Sequence, residues 1–108
     1  MHLDTYQGLA GRTINHDLSA TQWLWNAALG LAGEAGEVCD VLKKWQYQGH
    51  EFDEDALVNE AGDLLWYIAQ LATAIDVPLS EIAARNIAKL QARYPEGFDA
   101  DRSINREG

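Results

Sequence analysis

Two short segments place acids at helical spacing. "EAGE" at 34–37 carries Glu34 and Glu37, and "EAGD" at 60–63 carries Glu60 and Asp63. Residues three apart on a helix project to the same side, so each pair can grip one ion. Two antiparallel helices carrying them face each other with four carboxylates, an oxygen-only set that suits Mg²⁺ or Mn²⁺ better than zinc. A later segment adds Asn86, Lys89 and Arg93 along one edge, and Lys44 lies two turns beyond Glu37 on that acid's side. Amide and cationic groups of this kind bind phosphate oxygens. Each element alone is ordinary: most E-x-x-E pairs are surface charge, and the Asn86, Lys89 and Arg93 row reads equally as a solvated face. The conjunction across three segments is what points to a metal–polyphosphate site.

The elements that must hold these residues are helices. Hydrophobic periodicity and end signals predict four, roughly over 3–12, 20–48, 54–75 and 81–94, followed by a polar, irregular tail. Ser19 and Gln22 make an S-x-x-Q capping box for the second, with Leu18 placed to staple onto Trp23. Gly49 stops that helix, Asp53 caps the third, and Ser80 is expected to cap the fourth, which ends before Pro95. No alternating strand pattern, repeat or linker interrupts the chain, so the expectation is one all-α domain over 1–108, a four-helix, bundle-like subunit.

On the second helix, Leu24, Ala27, Ala28, Leu31, Ala35, Val38, Leu42 and Trp45 gather on one stripe at about 100° per residue. Glu34 falls roughly 40° from the centre of that stripe, Glu37 farther round, and Asp40 on the opposite, solvated face. An acid leaning toward a core needs a partner, because an unpaired buried charge is costly. On the third helix the stripe is Leu57, Ala61, Leu64, Leu65, Ile68, Leu71, Ala72 and Ile75, with Glu60, Asp63 and Tyr67 on its flank. Glycines at 30, 33 and 36 interrupt the second helix, each costing about 1 kcal/mol relative to alanine. Gly30 and Gly33 fall beside Glu37 and away from the apolar stripe, where small residues give clearance to a phosphate chain or a second backbone.

The composition limits the function further. A net charge of −9 repels nucleic acid unless cations intervene. No apolar run reaches the roughly 20 residues of a membrane span, and the start lacks a signal-peptide pattern. One cysteine, Cys39, excludes an internal disulfide framework and fits the cytoplasm. His2, His16 and His50 show no metal-ligand spacing, and no phosphate loop or Ser/His or Cys/His constellation occurs. Trp23, Trp45 and Tyr67 are candidates to stack a base, although each tryptophan suits a core or interface better.

With these residues in place, the chain resembles the MazG-like, all-α nucleoside triphosphate pyrophosphohydrolases. "LAGEAGEVCDVLKK", "NEAGDLLWYIAQLA" and "NIAKLQARYPEGF" look like family segments in the family's order, over roughly residues 20 to 98. The resemblance implies that Glu34, Glu37, Glu60 and Asp63 bind Mg²⁺ and act in catalysis, and that Asn86 and Lys89 contact the triphosphate. It implies hydrolysis of (deoxy)nucleoside triphosphates to monophosphate and pyrophosphate. It also implies a homodimer or homotetramer, in which helices of neighbouring subunits complete the site. One departure is Gly33, where many members have a further glutamate, so no role of that acid carries over. Arg102 or Arg106 in the tail could reach a phosphate.

The expected chemistry is attack of water on the α-phosphorus, with Glu34 or Glu37 able to take its proton. Alternatives stay open: a relative acting on phosphoribosyl-ATP or dUTP, or a non-catalytic dimeric helical interaction module. A di-iron bundle draws on E-x-x-H pairs, and none occurs.

Overall fold

Ser19 opens the longest element. Its hydroxyl accepts from the Gln22 amide at 3.2 Å, and the Gln22 side chain accepts from the Ser19 amide at 2.9 Å. The computed structural model describes residues 1–105. Five helices follow in order: α1 (Leu3–Gly11), α2 (Ala20–Tyr47), α3 (Glu54–Ala74), α4 (Leu79–Arg93) and α5 (Ala100–Ile104). The chain is all-α, as expected, and the first four helices end within two residues of the expected limits. Gly49, at φ 73°, lets the chain leave α2. The Asp53 side chain then accepts from the Ala56 amide at 3.0 Å and starts α3.

Two expectations need correction. Ser80 does not cap α4; the N-cap is Pro78, with no side-chain bond. The cap comes from α1 instead. Asp4 accepts from the Ser80 amide at 2.9 Å and from its hydroxyl at 2.6 Å, and Gln7 Oε1 accepts from the Leu79 amide at 2.7 Å. Those hydrogen bonds hold Asp4 below the usual carboxylate range. The tail is not wholly irregular either, because Asp99 accepts from the Asp101 and Arg102 amides and so caps α5.

α2 and α3 form a long antiparallel hairpin. α1 and α4 pack at one end of it, where Ala10, Ala69, Ala72 and Leu79 are buried beneath Tyr6, Trp66, Ile68 and Ile82. Gln7 Nε2 donates to Thr73 Oγ1 and the Val77 carbonyl, and Trp66 Nε1 to Thr13 Oγ1, tying α1 and its following turn to α3. Little of α1 or α4 covers the rest of the hairpin. The stripe residues Leu42, Trp45 and Leu65 therefore stay between 37% and 45% exposed; Ile75, Trp25 and Leu29 are exposed as well. The chain has a radius of gyration of 16.9 Å, against about 13 Å for a compact chain of this length. Its accessible surface is 7888 Å², against about 6,000 Å² for an ordinary 12 kDa monomer. No helix is long and apolar enough to cross a membrane among the described residues.

Candidate metal centre

The register of the hairpin sets the site. Asn26 meets Gln70, and the next turn of α2 brings Gly30 against the ring of Tyr67. One turn farther, Glu34 faces Glu60 and Asp63. Glu34, Glu60 and Asp63 each offer a carboxylate oxygen, and these oxygens lie within 4.8 Å of one another. Glu34 and Glu60 are half-buried while Asp63 is exposed, so the group opens outward on one side. Glu37 stands outside this group and is exposed. Its charge still acts on Glu34.

By themselves these carboxylates are electrostatically uncomfortable. Glu34 Oε2 is buried without a hydrogen-bond partner. A proton shared with the Glu60 carboxyl, then burial, then the charges of Glu60, Asp63 and Glu37, push the Glu34 carboxyl up to about 7. An orphaned carboxylate oxygen among like charges, in an all-oxygen donor set, fits a hard divalent cation such as Mg²⁺. Tyr6 on α1 also bears on the cluster: burial first, then the Asp63 charge, raise its phenol. No spacing rule pointed to Tyr6, because the contact depends on how α1 docks on α3.

The phosphate-binding candidates lie outside the Glu34–Glu60–Asp63 group, although Lys44 is near enough to Glu37 to feel its charge. Lys44 pairs with Asp40 at 2.9 Å and Lys43 with the same acid at 3.7 Å. Asp40 is thus engaged rather than simply solvated, and its hydrogen bond to Lys44 lowers its pKa and raises that of the lysine. Asn86 is exposed on α4. Lys89 and Arg93 join Asp99, Asp101, Arg102 and Asn105 around an open cleft of about 670 Å³ between α4 and α5. None of the acids of the metal cluster lines that cleft. Arg102 donates to the Arg93 carbonyl at 3.5 Å, while Arg106 lies outside the described residues.

The three aromatic candidates are equally dispersed. Trp23 donates through Nε1 to the Asn15 carbonyl at 2.9 Å and packs edge-on against His16. Trp45 packs edge-on against Phe52 near the other end of α2, about 33 Å away at 1.5 Å per residue. The two cannot stack one base within a single chain. Tyr67 is one turn from Asp63, edge-on to Trp66, with its ring filling the space above Gly30.

That contact corrects the expectation for the glycines. Gly30 faces α3, not the outside, and its missing side chain is the seat of the Tyr67 ring. A methyl group at Gly33 or Gly36 would meet nothing within 4 Å, so any clearance there serves something beyond this chain.

The model of the MazG nucleotide pyrophosphohydrolase domain matches residues 25–98, a span holding both acid pairs and the Asn86–Arg93 row. The chain is also similar to the Gene 37 protein of Mycobacterium phage L5. The two are 37% identical over 114 residues, which take in 98% of this chain and 100% of the phage protein. No solved structure gives a significant match.

Proposed function

Because the chain belongs to the MazG nucleotide pyrophosphohydrolase family, we propose that it hydrolyses (deoxy)nucleoside triphosphates to the monophosphate and pyrophosphate. The observation behind this reading is the Glu34–Glu60–Asp63 cluster with its orphaned Glu34 oxygen. Glu34, Glu60 and Asp63, with Glu37 at the margin, would hold Mg²⁺, with Mn²⁺ as a substitute. The ion would screen the phosphate oxygens and make a bound water more acidic. Glu34 or Glu37 would take the proton from a water attacking the α-phosphorus. The chain itself needs to supply no nucleophile. Lys44, Asn86, Lys89 and Arg93 would bind the phosphate chain.

Lys89 and Arg93 line a cleft that the acids of the metal cluster do not share, so the reading includes a second copy that brings them together. The surface in excess of an ordinary monomer, about 1,900 Å² on one chain, exceeds the roughly 800 Å² per partner of a standard interface and matches the larger, obligate ones. Trp25, Leu29 and Val58, each more than 60% exposed, give that interface apolar anchors. A net charge of −9 argues against nucleic acid as the partner. The exposed free thiol of Cys39 suits a cytoplasmic setting.

A pyrophosphate-release screen of the common NTPs and dNTPs, with Mg²⁺ and with Mn²⁺, tests the reading. Metal-dependent formation of monophosphate and pyrophosphate from at least one nucleotide is expected. No pyrophosphate from any of them would overturn this reading and leave a relative acting on phosphoribosyl-ATP or the helical interaction module.

A further inference from the structure

Gln70 is an odd residue for its position. It is 2% exposed, the largest fully buried side chain among the described residues, next to Ala69 on α3 and across from α2, whose Ala27 is buried too. A buried amide is costly unless it is hydrogen-bonded, and a leucine there would bury apolar surface instead. Its Oε1 accepts from Asn26 Nδ2 at 2.9 Å, across the α2–α3 interface. We propose that the Asn26–Gln70 bond fixes the register of α2 against α3, making both residues positioning residues for the metal centre. The inference rests on the metal reading above.

Apolar contact is non-directional, so sliding α2 past α3 by a turn, about 5.4 Å, exchanges one apolar contact for another. In the observed register Asn26 lies level with Gln70, Gly30 with Tyr67, and Glu34 with Glu60 and Asp63. A slip of one turn carries Glu34 to the level of Val58 or of Trp66, away from both acids. The same slip buries the Gln70 amide opposite Gly30, or opposite Gln22, which is held in the α2 cap. The polar bond therefore penalises the registers that dismantle the cluster, as single buried polar residues do in coiled coils. Tyr67, seated on Gly30, opposes the same slip through sterics.

The test replaces both partners with apolar residues of similar size, Asn26→Leu with Gln70→Leu. Such a pair leaves no orphaned amide, so the thermal midpoint should hold or rise. The Mg²⁺ concentration needed for half-maximal thermal stabilisation should nevertheless rise by about tenfold or more, the scale seen when ligand-orienting groups are lost. Turnover should fall in parallel. Exchanging the partners, Asn26→Gln with Gln70→Asn, keeps the bond and should restore the Mg²⁺ response.

A metal-free readout comes from spin labels on Cys39 and on a Val58→Cys substitution, both exposed and level with each other across the hairpin. Their distance distribution should be narrow in the parent and broadened or displaced in the double leucine variant. A double variant with an unchanged distance distribution and an unchanged Mg²⁺ midpoint overturns the proposal. A lowered thermal midpoint with an unchanged distance overturns it as well, because the pair would then be merely structural. A parent protein that ignores Mg²⁺ would instead sink the metal reading, while the label distances would still decide the register.

Discussion

The two stretches of the α2–α3 hairpin are finished to different degrees. Where α1 and α4 dock, Ala69 and Ala72 are buried, and Gln7 and Asp4 satisfy the turn and the start of α4. Two turns along α3, Glu60 and Asp63 crowd Glu34 and leave one of its oxygens without a partner. The first stretch is complete within one chain. The second has a local cost that folding alone does not relieve, as expected of a site whose stabilisation arrives with a ligand. Apolar surface does not follow that division: Trp25, Leu29 and Val58 stay open on faces of α2 and α3 that α1 and α4 leave uncovered.

The contrast predicts that damage at the open stretch removes function and spares the fold. Glu60→Ala should lower pyrophosphate release by at least about a hundredfold, the scale of losing one group that stabilises transition-state charge. Above about pH 7, where Glu34 is ionised and no proton is shared with Glu60, the metal-free thermal midpoint should hold or rise, because Glu34 loses a like-charged neighbour. Near-parental turnover would remove Glu60 from the site.

Damage at the sealed stretch should do the reverse. Gln7→Ala removes hydrogen bonds to Thr73, Val77 and the Leu79 amide. Urea unfolding should show a loss of about 1–3 kcal/mol, with turnover per folded molecule little changed.

The glycines split the same way. Gly30→Ala drives a methyl group into the Tyr67 ring and should cost about 1–3 kcal/mol. Gly33→Ala meets open space and should strengthen the helix by about 1 kcal/mol. Lower activity or altered assembly in the Gly33 variant would mark contact with substrate or a second copy. A fully active, normally assembled Gly33 variant would count against a clearance role.

The smallest expected effect is the pH response of the metal-free protein. An ordinary Glu34 titrates near 4.5, but the folded carboxyl keeps its proton up to about 7. Between those values the native state binds more protons than the unfolded one, so stability falls as pH rises; below 4.5 the effect is constant. Glu34→Gln should flatten the decline in thermal midpoint across that window.

The sequence disclosed what is local and periodic. The Ser19–Gln22 box, the Asp53 cap and the helix limits were legible because a few neighbouring residues decide them. The pairing of Glu34 with Glu60 and Asp63 was legible because two helical repeats sit either side of one turn. What sequence could not reveal depends on docking between distant elements. Asp4 and Gln7 cap a helix more than seventy residues away, and a tyrosine ring decides which way Gly30 faces. Gln70 was hidden for the same reason: among apolar neighbours it reads as an ordinary polar position until its burial is known. The apolar stripes of α2 and α3 were drawn as core, yet much of them is exposed, since periodicity shows which face seeks burial and not whether the same chain covers it.

The most direct test of the acidic cluster is a calorimetric Mg²⁺ titration of the metal-free protein at about pH 6 in buffers of different ionisation enthalpy. Displacement of the Glu34 proton predicts saturable binding whose heat varies with the buffer, the mark of proton release on metal binding. Absence of saturable Mg²⁺ binding would contradict the metal centre, and saturable binding with a buffer-independent heat would place the ion away from Glu34.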